Sequence, residues 1–144
     1  MTVSEEVAHL LDGLGLGDYR PDSVGGDIYT GTMPDGDGIP DECAAIALYA
    51  GGAGDAGLGF DTPRVQLRFR GAPNVGAPSV EQRAQRAYDA MVGLRSRPLP
   101  GGTWLSLCTP VQSGPVYLGK DQRERHEYVI NLELMLCRPT AQRD

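Results

Sequence analysis

Two histidines and three cysteines in 144 residues leave little material for metal or nucleophilic chemistry. Zinc sites draw on clustered His and Cys, whereas Cys43, Cys108 and Cys137 are far apart and form no C-x-x-C. Their odd number argues against a disulfide framework and reads as a reducing compartment. Positive charge is also short. Thirteen Lys and Arg against nineteen Asp and Glu give a net charge of −6, which disfavours a broad basic surface for nucleic acid. No apolar run approaches the roughly 20 residues that cross a bilayer. The opening MTVSEEVAHL is acidic where a signal peptide is basic and then apolar. Aromatics are 6% of a chain that is 40% hydrophobic, so the expected core is aliphatic.

Glycine and proline are abundant instead, twenty and eleven residues, and they predict many turns and long loops. Between them the elements are legible. Val7, Leu10, Leu11 and Leu14 recur at helical spacing behind Thr2-x-x-Glu5, a capping-box pattern, and the run ends among Gly13, Gly15 and Gly17. Residues 27–30 form a brief strand inside a loop-like stretch, and Ala44 to Tyr49 reads as a strand covered on both faces. Arg64 to Arg70 alternates strictly, with Val65, Leu67 and Phe69 on one face. Ser79-x-x-Gln82 opens a second helix with the stripe Val80, Ala84, Ala87, Tyr88 and Met91. Strands follow at 103–108, 116–118 and 126–137, the last carrying Tyr128, Ile130, Leu132, Leu134 and Leu136 on one face. The order α-β-β-β-α-β-β-β predicts an α+β fold, a largely antiparallel (mixed) sheet packed against two helices. One domain spans 1–144, with a polar, frayed tail at about 138–144.

Several motifs invite chemistry. Gly52 to Gly57 matches G-x-G-x-x-G, but a strand follows where a phosphate site needs a helix N-terminus, so a loop is the expectation and no cofactor is implied. Asp35, Asp37 and Asp41 sit in a D-x-D-G-x-x-D arrangement that suits calcium, or simply an acidic solvated turn. Met33 and Ala44 stand where two further acids usually complete such a loop. Cys108 and His126 are the one thiol and imidazole that could pair, and a buried structural cysteine is the commoner outcome. Arg64, Arg68 and Arg70 form a basic strand face, and Lys120, Arg123 and Arg125 a second basic group. Either is a solvated face, or a surface that meets acidic loops of a neighbouring subunit.

The landmarks occur in a telling order: a short helix ending in Leu-Gly-Leu-Gly, Ile28-Tyr29-x-Gly31-x-Met33-Pro34-Asp35, and Leu48-Tyr49-Ala50-Gly51-Gly52. After these come Val65-Gln66-Leu67-Arg68 with Arg70-Gly71, then Leu99-Pro100-Gly101-Gly102, then Leu118-Gly119-Lys120-Asp121-x-x-x-Arg125 before Tyr128-Val129-Ile130-Asn131-Leu132. Across residues 7–137 this resembles the phage minor capsid protein family, similar to tail terminators of long-tailed bacteriophages. The acidic Gly36–Ile39 insert and Lys120 depart from that pattern. The resemblance implies a virion protein assembled in the host cytoplasm, not an enzyme. It implies a homo-oligomer, a hexameric ring that ends the tail tube and meets the tail tube protein and the head-tail connector or stopper, with DNA passing through the lumen unread. Another neck, head-completion or tube component, or a calcium- or ligand-binding module, is the alternative. Arg64, Arg68, Arg70, Asp121, Arg123 and Arg125 are the expected subunit-interface residues.

Overall fold

A computed structural model describes all 144 residues. It contains two helices and an eight-stranded mixed sheet, the α+β arrangement that the periodicities predict. Helix α1 (Val3–Gly13) begins with the capping box: Thr2 Oγ1 accepts from the Glu5 amide at 3.2 Å, and Glu5 accepts from the Thr2 amide at 2.6 Å. Helix α2 (Ala77–Met91) starts two residues before the expected Ser79. Its N-cap is Gly76, with no side-chain cap, and Pro78 is tolerated in the first turn because the missing N–H has no helical partner there.

The strands are β1 (Ile28–Thr30), β2 (Cys43–Gly51), β3 (Phe60–Asp61), β4 (Pro63–Arg70), β5 (Arg95–Pro98), β6 (Trp104–Pro110), β7 (Val116–Lys120) and β8 (His126–Cys137). They run β1-β2-β4-β8-β6-β5, and β3 and β7 also pair with β8. All pairings are antiparallel except β1 with β2. Strands β6 and β7 lie in line along the same side of β8, meeting residues 132–137 and 126–129 respectively.

Val65, Leu67 and Phe69 of β4 and the even-numbered residues 128–136 of β8 share the side that receives both helices, in one cluster of 23 buried residues. Gly71 packs so closely against Val80 of α2 that a Cβ there would collide with it. The other side of the sheet is covered only in part. Cys43, Ala45 and Val129 are buried but stand outside the main cluster. Strand β2 therefore has two covered faces only at its start, and Leu48 is 44% exposed where full coverage was expected. The C-terminal residues, expected to fray, are tied down: Arg143 reaches both Asp61 carboxylate oxygens at 2.8 Å, and the Gly59 amide donates to the Asp144 carbonyl. No helix is long and apolar enough to cross a membrane.

Candidate functional site

Six of the charged residues singled out from sequence meet at one place. After β7 the chain turns through Asp121, whose Oδ1 accepts from the Arg123 amide at 2.9 Å and the Arg125 amide at 3.0 Å. This side-chain cap fixes a five-residue turn in which Glu124 takes φ +62°. The turn delivers Arg125, 2% exposed, into the loop that follows β1. Its guanidinium donates to Asp121 Oδ2 at 2.8 Å, to Asp41 Oδ1 at 2.9 Å, and to the two Asp35 oxygens at 3.2 and 2.8 Å. Arg123 adds a second contact to Asp35 at 3.2 Å.

Arg70 completes the arrangement from β4. Its side chain points away from the helices, because it neighbours Phe69 on an alternating strand, and its three nitrogens donate to the carbonyls of Asp41, Pro34 and Pro40 at 2.8–3.0 Å. Two buried guanidiniums thus hold residues 34–41 against the sheet. Every buried side-chain nitrogen and oxygen has a hydrogen-bond partner, as a stable buried polar network requires. The Arg125 hydrogen bonds hold the Asp35 carboxyl far below the usual carboxylate range, helped by the Gly36 amide. Burial pushes Asp121 up, but hydrogen bonds from Arg125 and Arg123 outweigh it and leave the net shift downward. The Asp35 bonds in turn raise Arg125.

The acidic loop that suggested calcium therefore turns two carboxylates to a cation of the chain itself. Asp35 and Asp41 face Arg125, Asp37 stays at the exposed turn tip, and the structure holds no group of three or more His, Cys, Asp or Glu side chains placed to bind a metal ion. Arg70 and Arg125 are 3% and 2% exposed. Their guanidiniums make three and four hydrogen bonds within the chain, so both side chains are spent chiefly on the loop. Arg64 and Arg68 remain on the open face, paired across strands with Glu133 at 3.3 Å and Glu127 at 2.9 Å. Sequence reading missed a buried acid as well. Glu6, 2% exposed on α1, accepts from the amides of Gly101 and Thr103 and from the Thr103 hydroxyl, and so clamps the β5–β6 turn. The signal was available, for a glutamate beside Val7 and Leu10 points inward at helical spacing.

Cys108 and His126 are not brought together. Cys108 pairs with Leu134, eight residues along β8 from His126, which is ~26 Å of strand. Burial pushes the Cys108 thiol up to about 12, and His126 Nδ1 is taken by the Tyr117 hydroxyl at 2.8 Å. The Gly52–Gly57 stretch lies between β2 and β3 and opens no helix. None of these supplies a nucleophile with a base beside it.

What the chain presents outward is unfinished sheet. Strand β7 is paired on one side only, and Val116, Tyr117 and Leu118 on it are 39%, 48% and 50% exposed. No curated protein and no solved structure matches the chain. A family model described as bacteriophage tail terminator protein matches residues 10–137, a span that takes in the arginine-tied loop, the bare β7 edge and all eight strands. The chain belongs to the bacteriophage tail terminator protein family.

Proposed function

We propose that this protein is the subunit of a hexameric ring at the head-proximal end of a phage tail tube, where it halts tube polymerisation and joins the tail to the head connector. The family is a structural, non-enzymatic one of the phage tail, so the protein is a virion component with other tail or head proteins as partners. The minor capsid likeness, assembly in host cytoplasm and the identity of the neighbours belong to this proposal.

The observation that carries it is the bare β7 edge. A five-residue strand with three successive exposed hydrophobic residues is a liability in a free monomer and a purpose-built surface in an assembly, where a second strand covers it. A closed ring needs two different complementary patches on each subunit, and a structure with open strand edges and tied loops offers such patches. Net charge supports the conduit. At −6 per subunit, acids facing the lumen repel DNA phosphates and keep the genome sliding. The test is negative-stain electron microscopy with light scattering on the same concentrated sample. A ring with a central hole and a mass of about 92 kDa, six subunits of 15.4 kDa, is the expected result. A protein that stays at the monomer mass and is absent from the head–tail junction of assembled particles overturns it.

A further inference from the structure

One half of the sheet has an open edge at β7 and a partly open edge at β1, at the same level. Register runs straight across it: Ile28, Ala44, Phe69, Tyr128 and Tyr117 align from β1 to β7, and Tyr29, Ala45, Arg68, Val129 and Val116 align in the next row. Here β1 and β7 are the outermost of five strands, separated by four spacings or ~19 Å. Strand β5 covers β6 only, so nothing pairs with the outer side of β7. On β1 residues 18–19 occupy the start of the edge, where the Asp18 carbonyl accepts from the Asp27 and Ile28 amides and Tyr19 bridges Ile28, and the edge is open beyond it.

The two edges differ in shape and charge. Beside β1 lies a groove of about 550 Å³, lined by Tyr19, Val24, Tyr29 and Ile39 together with Glu5 and Asp37. Arg125 takes Asp35 and Asp41 but leaves Asp37 free. Arg20, the one cation in the groove, is matched by Asp18 at 2.7 Å. The β7 edge instead protrudes with Val116, Tyr117 and Leu118, and its flank carries Lys120 and Arg123. Lys120 is held only by an exposed pair with Glu124, and such pairs exchange at little cost.

We propose that the β7 edge of one copy adds to the β1 edge of the next, its apolar residues in the groove and Lys120 toward Asp37, so that one sheet continues from subunit to subunit. Strands β1 and β7 run in opposite directions within the chain, because β1 is parallel to β2 and each of the next three pairings is antiparallel. A neighbour rotated about an axis along the strands therefore meets β1 with an antiparallel β7, the more stable pairing. The contact is heterologous, as ring closure demands. The arginine-tied loop gains a purpose here, since residues 37–39 form one wall of the groove. This seam rests on the ring reading.

Two variants that each expose one cysteine, Val24→Cys and Leu118→Cys, both in a Cys137→Ser background that leaves only the buried Cys43 and Cys108, are mixed and treated with a short bis-maleimide after the mass of the unmodified protein has been measured. The expected product is a dimer that contains one of each variant, and a ladder when both cysteines are in one chain. Leu118→Asp, its fold checked by circular dichroism, is expected to weaken association about tenfold. Asp37→Lys and Lys120→Glu are each expected to weaken it, and to restore it when combined. Cross-links only between two Leu118→Cys chains overturn the seam in favour of a two-fold contact. Rings of the expected mass that give no Val24–Leu118 product and survive Leu118→Asp overturn the seam and leave the ring reading standing. A monomer at every concentration overturns both. A charge-swapped double variant as weak as either single one overturns the docking direction.

Discussion

The two sides of the sheet are held by different physics. On one, α1 and α2 pack into a cluster of 23 buried, mostly aliphatic residues that includes Phe69, Ile130 and Leu132. On the other, only Cys43, Ala45 and Val129 are buried apolar residues outside that cluster, and the loop over them is fastened by Arg70 and Arg125 through hydrogen bonds. Apolar burial is strong and undirected, and it tolerates repacking. A guanidinium fork fixes position, because its planar donors must line up with several oxygens at once. The helix side supplies stability, and the loop side supplies a wall of fixed shape beside β1.

The largest expected effect breaks the helix side. Leu132 is fully buried at the middle of β8, paired with Val65 and Pro110, and Leu132→Ala is expected to destabilise the chain by about 3–5 kcal/mol. Urea unfolding measures it, as a fall in midpoint with the whole structure lost together. Arg125→Met keeps much of the volume but removes the fork. The three carboxylates it serves are 23–46% exposed and rehydrate when released, so the expected cost is smaller, about 2 kcal/mol. Hydrogen exchange should place that loss in residues 34–41, with β4 and β8 still protected. A global loss as large as that of Leu132→Ala would show instead that the loop is part of the core.

Acid sharpens the same contrast. Asp35 and Asp121 are depressed in the folded chain, so their contribution is complete above the unfolded carboxylate value of about 3.9 and is lost as pH falls below it through the lower folded values. The expected result is a loop that loosens below about pH 4 while the aliphatic side holds. In Arg125→Met that acid step shrinks, because the lowered carboxylates lose the cation responsible. Tryptophan fluorescence from Trp104, on β6 beyond the loop, serves as the control that should not move with it.

How much was legible follows the same division. The alternation of β4 and β8, the stripe of α2 and the capping box of α1 are consequences of apolar burial at fixed periods, and each is visible in the order of residues. Strands β3 and β5 were not, because two residues carry no period and Arg-Ser-Arg-Pro has no apolar face; β5 exists because Gly101 and Gly102 turn the chain and Glu6 holds the turn. The arginine tie was half legible. Asp35, Asp41, Asp121 and Arg125 stood out individually, but an arginine on or beside a strand reads as solvated, and only the fold brings a turn at 121–125 to a loop at 34–41. The turn itself, Asp-x-x-x-Arg with a side-chain cap, was the available clue.

The smallest expected effect tests whether charge on this side matters wherever it sits. Arg64 pairs with Glu133 at 3.3 Å across β4 and β8, with side chains 40% and 32% exposed. Water competes for both partners, and the pair must order two long side chains for one weak contact. Arg64→Ala is therefore expected to shift stability by no more than about 0.5 kcal/mol, within the error of a urea titration. Set beside Arg125→Met, the two substitutions remove the same side chain from the same face of one sheet. If they cost the same, burial of the guanidinium contributes nothing and the loop is held by its backbone alone. If they differ as expected, the tie works because Arg125 has been withdrawn from solvent, while the charges of the open face stay hydrated and contribute little to the fold.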